Sequence, residues 1–309
     1  MKINRRQFLG LAGTAAGTVL AGVPEKTRAA RLPISPDTVG CLIDTTLCIG
    51  CRKCEQACNE RHNLPAPDKS FEDLSVFETK RRPDYKSYMV VNRYQLQGTC
   101  SIDTSATWTY FTFQCMHCLD PACVSVCPVG ALTKQKRGAV IYDAKKCIGC
   151  GYCMVACPFE IPAFEFKNTL EPKIRKCTFC FEYIKKDGGL PACAQICPTE
   201  TIIFGKRSDL LKAARWKIKS KPGKYVDHIY GEKEVGGTSW MYLSSVPFKE
   251  IGLPKLGTKA PSRLTGSVRH ALFQFFAVPL ALFGLLGALM WKTDRKREIQ
   301  DNQEKGKET

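Results

Sequence analysis

Cys115-Met-His-Cys118-Leu-Asp-Pro-Ala-Cys123-Val-Ser-Val-Cys127-Pro128 is followed by Cys147-Ile-Gly-Cys150-Gly-Tyr-Cys153-Met-Val-Ala-Cys157-Pro158. The second run is C-x2-C-x2-C-x3-C-P. The first is the same pattern with two residues added between its second and third cysteines. Working outward, Cys48, Cys51, Cys54 and Cys58 repeat the spacing, with Asn59 where the others have proline. Cys177, Cys180, Cys193 and Cys197, followed by Pro198, keep its two ends and stretch its middle. Sixteen of the 18 cysteines fall in one four-fold pattern; Cys41 and Cys100 stand outside it.

The spacing has a physical reading. A cubane iron–sulfur cluster has four iron corners, each needing one soft thiolate. Three cysteines two residues apart let a tight loop cover three corners. The fourth, three residues on, has entered a helix and points to a neighbouring cube, and the proline redirects the chain. The four quartets therefore suit four [4Fe–4S] clusters with crossed fourth ligands. The expected sets are Cys48, Cys51, Cys54 with Cys197; Cys115, Cys118, Cys123 with Cys157; Cys147, Cys150, Cys153 with Cys127; and Cys177, Cys180, Cys193 with Cys58. Structural zinc sites also use four cysteines, but they do not usually add a fourth three residues on before a proline. A disulfide framework belongs to short chains and would not use up cysteines in one repeated pattern. Cys41 and Cys100 read as small buried residues.

The formal net charge of +17 invites a nucleic-acid reading. Four oxidised clusters with their thiolates carry about −8, leaving the loaded chain near +9. Residues 1–30 hold five basic and one acidic side chain, so much of the rest is targeting charge. No nucleic-acid-binding signature supports that class. Nor does a nucleophile triad, a P-loop or a Gly-rich dinucleotide turn appear. The reading is electron transfer without a catalytic site of its own.

In chain order, Asn4-Arg5-Arg6-Gln7-Phe8-Leu9-Gly10, the apolar Leu11 to Val23 and the small residues Ala29-Ala30 read as a twin-arginine export signal over 1–30. A plain secretory signal or a retained amphipathic start competes with it. Clusters are built where thiols stay reduced, so a loaded protein must cross a membrane folded. Residues 31–206 form the four-cluster core, with an insert at 59–114 containing two β-rich runs, Tyr88 to Tyr94 and Thr107 to Phe113. Val39 to Ile43 reads as a strand, Ala131 to Lys134 with Ala139 to Asp143 as a hairpin, and Thr201 to Phe204 as a further strand. His117 lies within the second motif, where it either tunes a cluster by hydrogen bonding or is an ordinary neighbour. Lys176, Lys145 and Lys146 flank ligand cysteines and read as solvated counter-charges, with a rise in cluster potential as the alternative. Ser208 is the expected cap of a helix whose buried face carries Leu210, Leu211, Ala214 and Ile218. Residues 207–268 otherwise read as an extended segment lying along the core or a partner, poorly ordered alone. Ala271 to Trp291 is 21 residues without a charge, long enough for one membrane-spanning helix within 269–292. Lys292, Arg295, Lys296 and Arg297 place the tail 293–309 in the cytoplasm and the core outside it.

These motifs resemble the ferredoxin subunits of respiratory oxidoreductases over Cys48 to about Gly205. Ile229-Tyr-Gly-Glu-Lys-Glu-Val-Gly-Gly-Thr238, Val246-Pro247 and Leu253-Pro254-Lys255-Leu256 narrow the likeness to the ferredoxin-like subunits of membrane-bound nickel–iron hydrogenases. The resemblance implies an α+β fold, a duplicated bacterial-type two-cluster ferredoxin core with a small β insert. It also implies the same crossed cysteines. The implied partners are hydrogenase small and large subunits, a quinone-reactive integral membrane subunit and the lipid bilayer, on the periplasmic side of the inner membrane. An equivalent subunit of formate dehydrogenase, another molybdenum or tungsten enzyme or a multihaem complex shares the motifs. A cysteine-rich metal-binding scaffold is the alternative from a different class.

Overall fold

A computed structural model describes residues 35–96, 108–165, 173–262 and 282–295. The export signal, Cys100 and most of the expected span fall outside these residues. The chain divides into two units, 31–266 and a second formed by 1–30 with 267–309.

In the first unit, strand β1 (Val39–Asp44) is buried along its whole length. It is the middle of a three-stranded sheet. On one side β8 (Ile202–Lys206) runs antiparallel to it; on the other β9 (Trp240–Leu243) runs parallel. Strand alternation splits its residues between two cores. Val39, Cys41, Ile43, Trp240 and Tyr242 face the cysteine-rich core. Leu42, Met241 and Leu243 face helix α6 (Arg207–Ser220) through Leu210, Leu211 and Ala214. The expected apolar face of that helix is therefore buried, with Ile218 partly so.

Its start differs from expectation. Lys206, not Ser208, is the residue before the first turn, and no side chain caps it. Strand β8 runs directly into α6, and the Arg207 guanidinium secures the junction on the carbonyls of Thr238, Gly231 and Glu232. Residues 224–262 lie along the core, one of the two placements expected, and are more regular there than an extended stretch. They contribute β9 and the buried side chains of Ile229, Val246, Phe248, Ile251 and Leu253. Short apolar pieces separated by Gly and Pro leave no long period to read, yet each piece packs.

The other strands form three antiparallel ribbons: β2 (Met89–Gln95) with β3 (Trp108–Gln114), β4 (Leu132–Lys134) with β5 (Val140–Tyr142), and β6 (Ala163–Glu165) with β7 (Lys173–Arg175). Each ribbon joins one cysteine motif to the next, and the β8–β1 pair closes the circuit from the fourth back to the first. The β-rich runs of the insert are thus one ribbon, and the hairpin after Cys127 stands where expected. Asp44 and Asp143 do the same job ahead of the first and third motifs. Each side chain accepts the N–H two residues on and turns the strand into a short 3-10 turn ending at the first cysteine. That shared device is duplication in structural form.

In the second unit, residues 282–295 are helical, with Leu282, Phe283, Leu285, Leu286, Leu289, Met290 and Trp291 exposed. Among the described residues no helix is long and apolar enough to cross a membrane. Residues 271–281 of the expected span are not among them.

Candidate metal centres

Each motif bends the same way. The residue before the second cysteine is left-handed in all four: Gly50 (φ 72°), His117 (φ 46°), Gly149 (φ 71°) and Phe179 (φ 63°). Glycine adopts this conformation freely and other residues pay strain, so the repeated geometry is imposed by what the loop must wrap. A second repeat follows the last cysteine. Gly130, Glu160 and Glu200, each three residues after Cys127, Cys157 and Cys197, are also left-handed. Proline ends those helices after one turn: α2 (Ala122–Ser125), α3 (Tyr152–Val155) and α5 (Ala192–Gln195). With Asn59 after Cys58, helix α1 (Lys53–Arg61) continues instead. The departure moves the chain's exit by a turn, and the Asn59 side chain fastens the exit to the Pro65 carbonyl.

Side-chain neighbourhoods sort the thiols into groups. Cys54 feels Cys48, Cys51 and Cys197. Cys118 feels Cys157, Cys123 and Cys115. Cys153 feels Cys147, Cys150 and Cys127. Cys193 feels Cys58, Cys177 and Cys180, with the buried non-motif Cys41 beside them. These are hereafter the first, second, third and fourth groups. Cross-talk orders them: Cys58 feels Cys54, Cys177 feels Cys115, and Cys123 feels Cys153. The series runs first, fourth, second, third. Its ends reach solvent, with Cys150 exposed and Ile148, Tyr152 and Val155 exposed around it. At the other end Ile49 is exposed beside half-buried Cys48 and Cys51. The fourth group is closed, with Cys58, Cys177, Cys180 and Cys193 all buried; in the second, Cys115 is buried and Cys118, Cys123 and Cys157 are half-buried.

Burial pushes most of these thiols up, Cys48 and Cys153 to about 11 and Cys123 and Cys177 to about 12. A coordinated metal would hold such buried thiols deprotonated at neutral pH. Cys197 goes the other way. Burial raises it, but the N–H groups of Ile202, Thr201 and Thr199 and the Thr199 hydroxyl outweigh burial and lower it. Backbone N–H groups also donate to sulfur from Ala131 to Cys127 (3.2 Å), Phe179 to Cys177 (3.3 Å) and Gly149 to Cys147 (3.4 Å). Such bonds favour thiolate over thiol. Among the described residues no group of three or more His, Cys, Asp or Glu is arranged to hold a single metal ion. Soft ligands in fours, N–H donors aimed at sulfur and loops bent alike fit iron–sulfur cubes.

Between the second and fourth groups lies a basic knot that the sequence did not disclose. Lys176, expected to be solvated, is 4% exposed, and its ammonium donates to the carbonyls of Val140 and Cys177. Lys134 donates to the carbonyls of His117 (3.3 Å), Cys118 (2.7 Å) and Gly138 (2.5 Å). Burial pushes the Lys134 ammonium down to about 8, opposed by the nearby thiols of Cys118, Cys115 and Cys123. Among the described residues neither lysine ion-pairs with a carboxylate. His117 between them is buried; Nδ1 accepts the Val140 N–H at 2.9 Å, and the ring packs on Phe179 with centroids 4.9 Å apart. Burial and the two lysine charges hold its pKa well below normal, so the imidazole is neutral. Lys145 and Lys146, by contrast, are exposed.

A second buried charge cluster braces the first motif. Arg52 and Glu55, which flank Cys54 in sequence, are 1% and 3% exposed and form an ion pair at 3.0 Å. Arg81 from the insert joins the same carboxylate. An Arg and a Glu three residues apart around a motif cysteine were the available signal.

The fold and its thiol groups define an iron–sulfur protein of the ferredoxin type, and a family described as a 4Fe-4S dicluster domain matches residues 106–207. The chain belongs, more narrowly, to the HybA family of iron–sulfur electron-transfer subunits. It is 36% identical to the Hydrogenase-2 operon protein HybA of Escherichia coli O157:H7, over 93% of this chain and 95% of that one. It is 45% identical to a protein of Nitratidesulfovibrio vulgaris strain Hildenborough, over 96% of this chain and 79% of the relative. The nitrate-inducible formate dehydrogenase iron-sulfur subunit of Escherichia coli K12 is 33% identical over 69% of this chain and 71% of its own length.

Proposed function

We propose that this chain relays electrons between a periplasmic nickel–iron hydrogenase and a quinone-reactive membrane subunit through four [4Fe–4S] clusters, one in each thiol group. When bound, each cluster takes up and releases single electrons. The chain's own residues do the rest. They space the four groups in series, close the fourth to water and open the two ends of the series to partners. The observation that carries this reading is that graded exposure, with the Cys150 end and the Ile49 end accessible and the fourth group buried. The likeness to HybA spans nearly the whole chain, whereas the likeness to the formate dehydrogenase subunit spans about two thirds. That difference supports the hydrogenase over formate dehydrogenase as partner. Residues 1–30 carry the folded, loaded chain across the membrane by the twin-arginine route, and 271–291 anchors it with the tail 293–309 in the cytoplasm.

The test is electron paramagnetic resonance on the native membrane complex, purified without oxygen, before and after hydrogen gas. Several interacting [4Fe–4S] signals on hydrogen addition are expected. Signals that need dithionite and ignore hydrogen would overturn the hydrogenase partner, and formate would be tried next. No signal with either reductant would overturn the clusters themselves.

A further inference from the structure

We infer that Lys134 and Lys176 set the redox level of the inner pair of clusters, raising the second and fourth groups so that the middle of the relay is not an uphill step. The inference rests on the proposed cluster content and deepens it. An electron entering a cluster makes that site one unit more negative. Burial penalises the extra charge; the fourth group is buried throughout, and Cys115 is the buried thiol of the second. Left alone, the fourth group would be the hardest to reduce.

The basic knot opposes that penalty. Lys176 is nearly sealed from water and adjoins Cys177 of the fourth group; Lys134 hydrogen-bonds the Cys118 carbonyl of the second. Among the described residues both ammoniums meet only carbonyl oxygens; Lys176 is buried and Lys134 half-buried. A buried cation with no anionic partner is costly. The anions within reach here are the thiolates and the clusters they would hold. The effect also grows with burial, because the low dielectric that penalises the electron strengthens each lysine's attraction for it. His117 Nδ1 accepts the Val140 N–H and so ties the second motif to the strand whose Val140 carbonyl Lys176 bonds. The exposed Lys145 and Lys146 beside the third group are screened by water and carry no comparable effect.

The experiment is a potentiometric titration of the native complex followed by electron paramagnetic resonance, on wild type, Lys134→Gln, Lys176→Gln, Lys176→Arg and the exposed control Lys145→Gln/Lys146→Gln. Iron and acid-labile sulfide are measured on each. In each Gln variant one cluster is expected to be at least tenfold less reduced at a fixed potential, a downward shift of at least 59 mV for one electron. Lys176→Arg and the exposed double variant should stay within a third of that shift. Unshifted Gln variants with full iron would overturn the inference while leaving the cluster reading intact. A lack of any [4Fe–4S] signal in the wild type would overturn both. Should the Gln variants fail to load, the wild-type titration still decides. The adjacent inner pair should be reduced no later than the ends, giving spin-coupled, broadened signals early. Isolated, uncoupled signals early, with broadening only at the lowest potentials, would overturn it.

Discussion

Glu55→Gln removes one charge at the most heavily bonded carboxylate of the fold. Its oxygens accept from Arg52 Nε and Nη2, from both Arg81 Nη atoms and from the Val91 N–H. A glutamine keeps one acceptor oxygen but turns an amide N–H2 toward guanidinium donors. Arg52, 1% exposed, is then a buried cation without a carboxylate among the described residues, held by the carbonyls of Ser70 and Asp73 and at best that one amide oxygen. Breaking such a buried pair from one side costs about 3–5 kcal/mol. For a unit of this size each kcal/mol moves the midpoint by about 2–4 °C, so the apparent Tm should fall by about 6–20 °C. The assay is anaerobic thermal unfolding of the loaded chain, read by near-ultraviolet and cluster absorbance at one scan rate. Adding Arg52→Met should restore part of the loss, because no orphan charge remains. A fall below 2 °C, or a double variant worse than the sum of the singles, would refute the claim that an uncompensated Arg52 is the cause.

Cys197→Ser should leave a chain short of one cluster whose missing signal is the one lost with Cys48→Ser; pairing with the loss seen for Cys177→Ser would refute the grouping. Gly50→Ala places a Cβ 2.3 Å from the Tyr110 ring at φ +72°. A loss of about 1–3 kcal/mol from overpacking, beyond the backbone strain, is expected in the same unfolding assay, and an unchanged midpoint would show that Tyr110 moves freely. Burial raises the Asp44 carboxyl, but hydrogen bonds from Thr46, Lys217 and Tyr225 and the Lys217 charge win and lower it. A depressed folded value means stabilisation that is full above the unfolded pKa of about 3.9 and lost as pH falls through the lower folded one. Asp44→Asn should therefore be less stable than wild type at pH 6, with the gap closing below about pH 4 in short acid pulses followed by tryptophan fluorescence.

Cysteine spacing made the four repeated loops legible, since each motif bends alike at the residue before its second cysteine. Gly50 and Gly149, at the same place in two motifs, signalled the left-handed turn; His117 and Phe179 occupy it in the others and hide it. Strand β1 and two of the ribbons were readable from β-branched and aromatic runs; β6 with β7, three residues each, was not. Strand β9 was not, since Trp240-Met-Tyr-Leu243 is buried on both faces and shows no alternation. Ser208 resembled a cap, yet Arg207, bonded to carbonyls far along the chain, decides where α6 begins. Lys176 looked like its solvated neighbours Lys145 and Lys146 because sequence carries charge and not depth. The basic knot needs three segments to meet, which no local pattern records.

The circuit of ribbons also bears on synthesis. The second and third thiol groups draw all their cysteines from 115–157, a compact nested stretch. The first and fourth each join cysteines from both sides of that stretch, and strand β1 waits for β8 before it has its antiparallel neighbour. Contacts so distant along the chain form late. A ribosome that has released residues up to Glu165 has delivered every thiol of the second and third groups and completed neither of the others. Assembly thus starts in the nested stretch; the fourth group is complete when Cys193 arrives, and the first, at the exposed Ile49 end, only with Cys197.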